Sequence, residues 1–73
     1  MAHLEIFETS GSKRMLRPAS LREGKGREAV QGWADELGEA DCAPVQVTFK
    51  RKLHGHELFI VRVGSRRFDV ITH

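Results

Sequence analysis

Seventy-three residues leave room for one hydrophobic core, and a chain this short buries only about 60% of the surface its unfolded form exposes. A hydrophobic content of 40% with 30% charged residues argues against a wholly disordered chain, and no apolar run approaches the roughly 20 residues that a membrane-spanning helix needs. The net charge of +2 hides a segregation: residues 1–26 carry +2, residues 27–43 carry −4 and residues 44–73 carry +4, a dipolar pattern able to steer a charged partner.

The alternation in Leu4-Glu5-Ile6-Phe7-Glu8 predicts a strand, ended by the turn-rich Thr9-Ser10-Gly11-Ser12. A return strand over Lys13 to Leu16 is optional in the pattern, because Pro18 follows and nothing specifies its register. The opening residues lack the basic leader and apolar stretch of a secretory signal, so the chain is read as cytoplasmic. Pro18 to Gly26 reads as a connector, in which Ser20 and Glu23 have the spacing to cap one short helical turn.

Ala29, Val30, Trp33, Ala34 and Leu37 recur at the spacing of one apolar helical stripe, which predicts a helix from about Arg27 to Leu37. Gly38 stands where a left-handed terminating residue is wanted, and Gly32 is expected where helix and sheet approach closely. Cys42, the only cysteine, has no partner for an internal disulfide and no companions for a Cys-rich zinc site; it is expected as a small apolar filler.

Residues 45–73 predict a three-stranded antiparallel meander. Gly64-Ser65 suits the centre of a type II′ turn, which sets Val63 opposite Arg66, Val61 opposite Phe68 and Phe59 opposite Val70. For the preceding hairpin, a three-residue Leu53-His54-Gly55 loop with Gly55 in a left-handed bulge position pairs Phe49 with Phe59, Val47 with Val61 and Val45 with Val63. The same loop sets Arg51 opposite Glu57. A two-residue His54-Gly55 loop would set Lys50 against Phe59 and Thr48 against Val61 and spoil the apolar face, so the three-residue loop is the expected one. The expected fold is thus α+β, one helix on an antiparallel sheet in the order βαβββ or ββαβββ, with Phe49, Phe59, Phe68 and Trp33 in the core.

This register turns Lys50, Lys52, Arg62 and Arg67 to the face away from the helix, together with Leu58, Ile60 and Ile71. Arg62 and Arg67 oppose each other directly, a pairing that costs stability unless something compensates, and Asp69 stands near enough to relieve part of it. Cations on a rigid sheet suit phosphates, so the leading expectation is a non-enzymatic module that binds nucleic acid through this face. The shortage of exposed aromatics argues against stacked single-strand recognition. A second expectation is an inhibitor or adaptor, of the kind phage and mobile elements encode, that binds an acidic protein or dimerises through the mixed basic and apolar face. A third is a small metal-independent ribonuclease in which His56 and His73, beside Lys52, do acid and base work.

Gly24-Lys25-Gly26 before the helix offers backbone N–H groups and a helix dipole to an anion, although it lacks the spacing of a P-loop. Glu36, Glu39 and Asp41 gather at the helix C-terminus, where the dipole disfavours them; solubility or a basic partner would account for them. No set of residues completes a tetrahedral metal site around His54 and His56, and no cofactor is expected.

The stretch Lys52-Leu53-His54-Gly55, followed by Leu58 to Gly64 and by Arg67-Phe68-Asp69-Val70-Ile71, resembles the closing strands of RelE/ParE-type toxins. That resemblance implies a small RNA-cleaving toxin. The chain departs from that pattern in its shortness, its lack of paired N-terminal helices and the absence of a Tyr on its last strand. The helix followed by three strands also resembles the front of a double-stranded RNA-binding domain, without its closing basic helix, and the chain is assigned to neither family.

Overall fold

The computed structural model describes residues 3–9, 13–18 and 26–73. Its elements are β1 (His3–Glu8), β2 (Lys13–Pro18), α1 (Gly26–Asp41), β3 (Val45–Leu53), β4 (His56–Val63) and β5 (Arg66–Thr72). One helix packs on a five-stranded antiparallel sheet of order β2-β1-β5-β4-β3, the longer of the two expected arrangements. The optional return strand is formed, and it is an edge. β1 lies inside the sheet between β2 and β5, with Leu4 opposite Thr72, Ile6 opposite Val70 and Glu8 opposite Phe68.

Strand alternation sends Leu4, Ile6, Phe59, Val61, Val63, Phe68 and Val70 to one face, where they are buried against Val30, Trp33 and Ala34 of α1. Each large side chain so buried contributes about 1.5–3 kcal/mol, which is how a chain this short holds together. Trp33 meets Phe68 edge-on at 5.1 Å between ring centroids, a geometry that aligns ring edge with ring face. Phe49 departs from expectation. It packs edge-on against Phe59 at 5.5 Å, but on edge strand β3, beside Arg27 and Glu57, it stays 43% exposed.

The β4–β5 register is the expected one throughout, from Leu58 opposite Ile71 to Val63 opposite Arg66. Gly64 has φ +62°, as the first central residue of a type II′ turn requires. The β3–β4 hairpin reaches the expected apolar pairings by another route. His54 (φ 47°) and Gly55 (φ 84°) are both left-handed, the signature of a two-residue type I′ turn, and the extra residue is absorbed as a bulge between Phe49 and Arg51. Beyond the bulge, Arg51 therefore faces Leu58 and Lys52 faces Glu57, in place of the expected Arg51–Glu57 pair.

The helix runs one turn past its expected end. The left-handed terminating residue is Cys42 (φ 49°), exposed and not an apolar filler. Hydrogen bonds from Ala43 N to Gly38 O (3.0 Å) and from Cys42 N to Glu39 O (3.3 Å) form the closing pair of a Schellman motif around it. Neither helix glycine has its expected role: Gly32 is exposed with open space around it, whereas Gly38 stays helical and makes the close approach, a Cβ there colliding with the Val45 side chain. Two substitutions of the same chemistry should therefore differ in sign. In urea denaturation, Gly32→Ala is expected to gain about 1 kcal/mol from helix propensity, and Gly38→Ala to lose about 1–2 kcal/mol from overpacking.

Candidate nucleic-acid interface

The side chains that alternate away from α1 form an open face, and the registers order them into rows across the strands. At one end Arg67 of β5 stands opposite Arg62 of β4, which stands opposite Gln46 of β3. The next row runs Arg14, Phe7, Asp69, Ile60, Thr48, and the one after it Leu16, Glu5, Ile71, Leu58, Arg51. His3 of β1 and His56 of β4 lie on this face at the far end. Each row step is two residues of strand, about 7 Å.

The basic end is the part that the sequence made visible. An open depression of about 500 Å³ is lined by Lys50, Ile60, Arg62 and Arg67 together with Gln46, Thr48 and Phe49. Arg62 and Arg67 are exposed, as are Lys50 and Arg51, and among the described residues none of these cations is held by a carboxylate. Asp69, one row from both arginines, has its Oδ1 buried without a hydrogen-bond partner, and among the described residues it forms no ion pair with either arginine. Arg66 provides the contrast. On the helix side, its Nε and Nη2 donate to the two carboxylate oxygens of Glu8 at 2.8 and 2.9 Å and its Nη1 to Asp41 at 2.9 Å, while its guanidinium lies over Phe68. The Glu8 hydrogen bonds, then the one to Asp41, push Arg66 above the ordinary arginine value. Asp41 thus has a structural use that its place at the helix C-terminus did not suggest.

Lys52 does not join the outer face: its pairing with Glu57 puts it on the helix side. The reason is the bulge at Lys50, which keeps Lys50 on the outer face, brings Arg51 there, and reverses the residue after it. The row expected from Lys52, His56 and His73 is instead made by His3, His73 and His56. His3 stacks on His73 at 4.6 Å between centroids and 16° between planes, and His56 meets His73 at 4.7 Å and 57°. His56 Nδ1 lies 2.9 Å from the Thr72 carbonyl oxygen, which only accepts, so that nitrogen carries a proton in this bond. No group of His, Cys, Asp or Glu among the described residues is arranged to hold a metal.

Glu5 links this end to the sheet edge. Arg14 Nε donates to its Oε2 at 2.6 Å, and His73 Nε2 lies 3.2 Å from its Oε1. The Arg14 hydrogen bond, opposed by partial desolvation and aided by His73, holds the Glu5 carboxyl below its ordinary value.

Of the expected anion site, Gly24 and Lys25 lie outside the described residues. Gly26 is the buried first residue of α1, and the Glu57 carboxylate stands 2.8 Å from where a Cβ on it would be, so a negative charge already faces the positive end of that helix. Sequence reasoning passed over Phe7. Half-buried on the outer face between Arg14 and Asp69, it puts an aromatic ring on the surface where the sequence showed a shortage of aromatics for stacking, once β1 is known to be interior. Comparison with protein-family models, with characterised proteins and with solved structures finds no match for this chain.

The Glu5 network has a pH signature. A carboxyl whose folded value is lowered adds stability that is complete above its unfolded value, near 4.5, and is lost as pH falls through the folded value. Thermal unfolding of Glu5→Gln should therefore show a lower midpoint than the parent at neutral pH. The difference should shrink on acidification below about pH 4; a constant gap from neutral to acid pH would dissociate the network from the stability of the sheet.

Proposed function

We propose that this protein binds nucleic acid through the open face of its sheet, with Arg62, Arg67 and Lys50 meeting phosphates and Arg51 taking the place expected for Lys52. The observation that carries this reading is the opposition of Arg62 and Arg67 across β4 and β5 with no acidic side chain bonded to either among the described residues. Like charges directly opposed weaken a sheet, and a polyanion is the partner that turns this cost into binding. Lys50 adds to the same field because the bulge leaves it beside the depression.

A second reading draws on Leu58, Ile60 and Ile71, which are half-buried on the same face. With Leu16, 58% exposed at the β2 edge, they favour an acidic protein whose apolar side chains pack at the centre of the patch and whose carboxylates meet its rim.

Fluorescence anisotropy with a labelled mixed-sequence oligonucleotide separates the readings. The nucleic-acid reading predicts binding at low salt that weakens linearly in log–log form, with the slope reduced by roughly 0.7–0.9 for each phosphate-contacting cation removed. Arg62→Glu with Arg67→Glu should lose at least about tenfold in affinity, while Glu39→Gln on the exposed face of α1 leaves it unchanged. An absence of binding at low salt contradicts the proposal.

A further inference from the structure

The centre of the outer face has a chemistry different from its rim. Phe7 and Ile60 flank Asp69 in one row, and Ile71 and Leu58 adjoin each other in the next, all of them half-buried. The cations stand outside them: Arg62 and Arg67 at one end, Lys50 and Arg51 along β3. We infer that the nucleic acid taken by this face is single-stranded, with bases laid over Phe7 and Ile60 and phosphates held at the rim, an inference that rests on the reading proposed above.

A duplex presents its phosphates outward and its bases stacked within. Laid on this face, it would press charged backbone onto apolar side chains, desolvating phosphates where nothing pairs with them. It would also bring phosphates over the Asp69 carboxylate, like charge against like. A single strand has no such conflict. Its unstacked bases offer π-faces to an aromatic ring and N–H edges to a carboxylate, and its backbone is free to follow the cations around the patch. Phe7 is suited to the task because β1 is interior to the sheet, so the ring stands on a rigid strand paired on both sides and loses little freedom when a base covers it.

The same anisotropy assay tests this with one sequence of about ten nucleotides, a length within the range of small single-strand sites, offered as a single strand and as its annealed duplex at one low salt concentration. The single strand should bind at least about tenfold tighter than the duplex. Phe7→Ala should lose roughly tenfold for the single strand and little for the duplex, while Phe7→Tyr, which keeps the ring, should retain single-strand binding. Circular dichroism verifies that both variants are folded. Duplex binding equal to or tighter than single-strand binding, or a folded Phe7→Ala with unchanged single-strand affinity, overturns the inference and leaves nucleic-acid binding standing. Failure of both forms to bind overturns the underlying reading as well.

Discussion

A single helix covers one face of a sheet and leaves the other to its own devices. Here α1 has 16 residues, about 24 Å of length and some 10 Å of width, against five strands spaced about 4.8 Å apart. That is enough to seal the side on which Phe59, Val61, Phe68 and Val70 lie. No described element covers the opposite side, so the residues placed there by alternation must be stable in water or be met by something else. Arg62, Arg67, Lys50 and Arg51 satisfy the first condition; Phe7, Ile60, Leu58 and Ile71, half-buried there, are what the proposed binding would cover. The mixed character of the outer face follows directly from the α+β layering.

The interior position of β1 turns that face into a connected surface. Without it the meander of β3, β4 and β5 would have an unpaired edge at β5, and its outer side chains would end at Asp69 and Ile71. With β1 paired to β5, the patch gains Phe7 and the Glu5–Arg14–His73 network. The helix side gains Leu4 and Ile6 in the core and Glu8 as the bidentate partner of Arg66. One pairing of distant segments therefore serves the core and the open face together, and Arg66, tied at once to β1 and to the end of α1, fastens the two layers.

What the sequence made legible was whatever local chemistry decides. Gly64-Ser65 fixed the β4–β5 register because its turn geometry and the flanking apolar pattern agree. The helix stripe was legible for the same reason. The β3–β4 hairpin was half legible. A three-residue loop and a two-residue loop with a bulge at Lys50 produce the same Phe49, Val47 and Val45 pairings, and nothing local says where the extra residue goes, yet the choice decides the face on which Lys52 lies. Gly32 lies off the Val30, Trp33, Ala34 and Leu37 stripe, so helical phase turns it away from the sheet, whereas Gly38 approaches β3 because the helix continues past it to Asp41. Phe7 was missed since its place on the open face depends on a strand order that alternation alone does not specify. Of the basic patch, Lys50, Arg62 and Arg67 were visible, and Arg51 was not.

Mapping the bound surface residue by residue is the most direct measurement of the central claim, that the face opposite α1 is the one that binds. Backbone amide shifts of isotopically labelled protein, followed while a short single-stranded oligonucleotide is added, should move at Phe7, Ile60, Arg62, Arg67 and Asp69, with the exposed residues of α1 unaffected. Shifts confined to α1, or spread evenly over both faces of the sheet, would contradict the account.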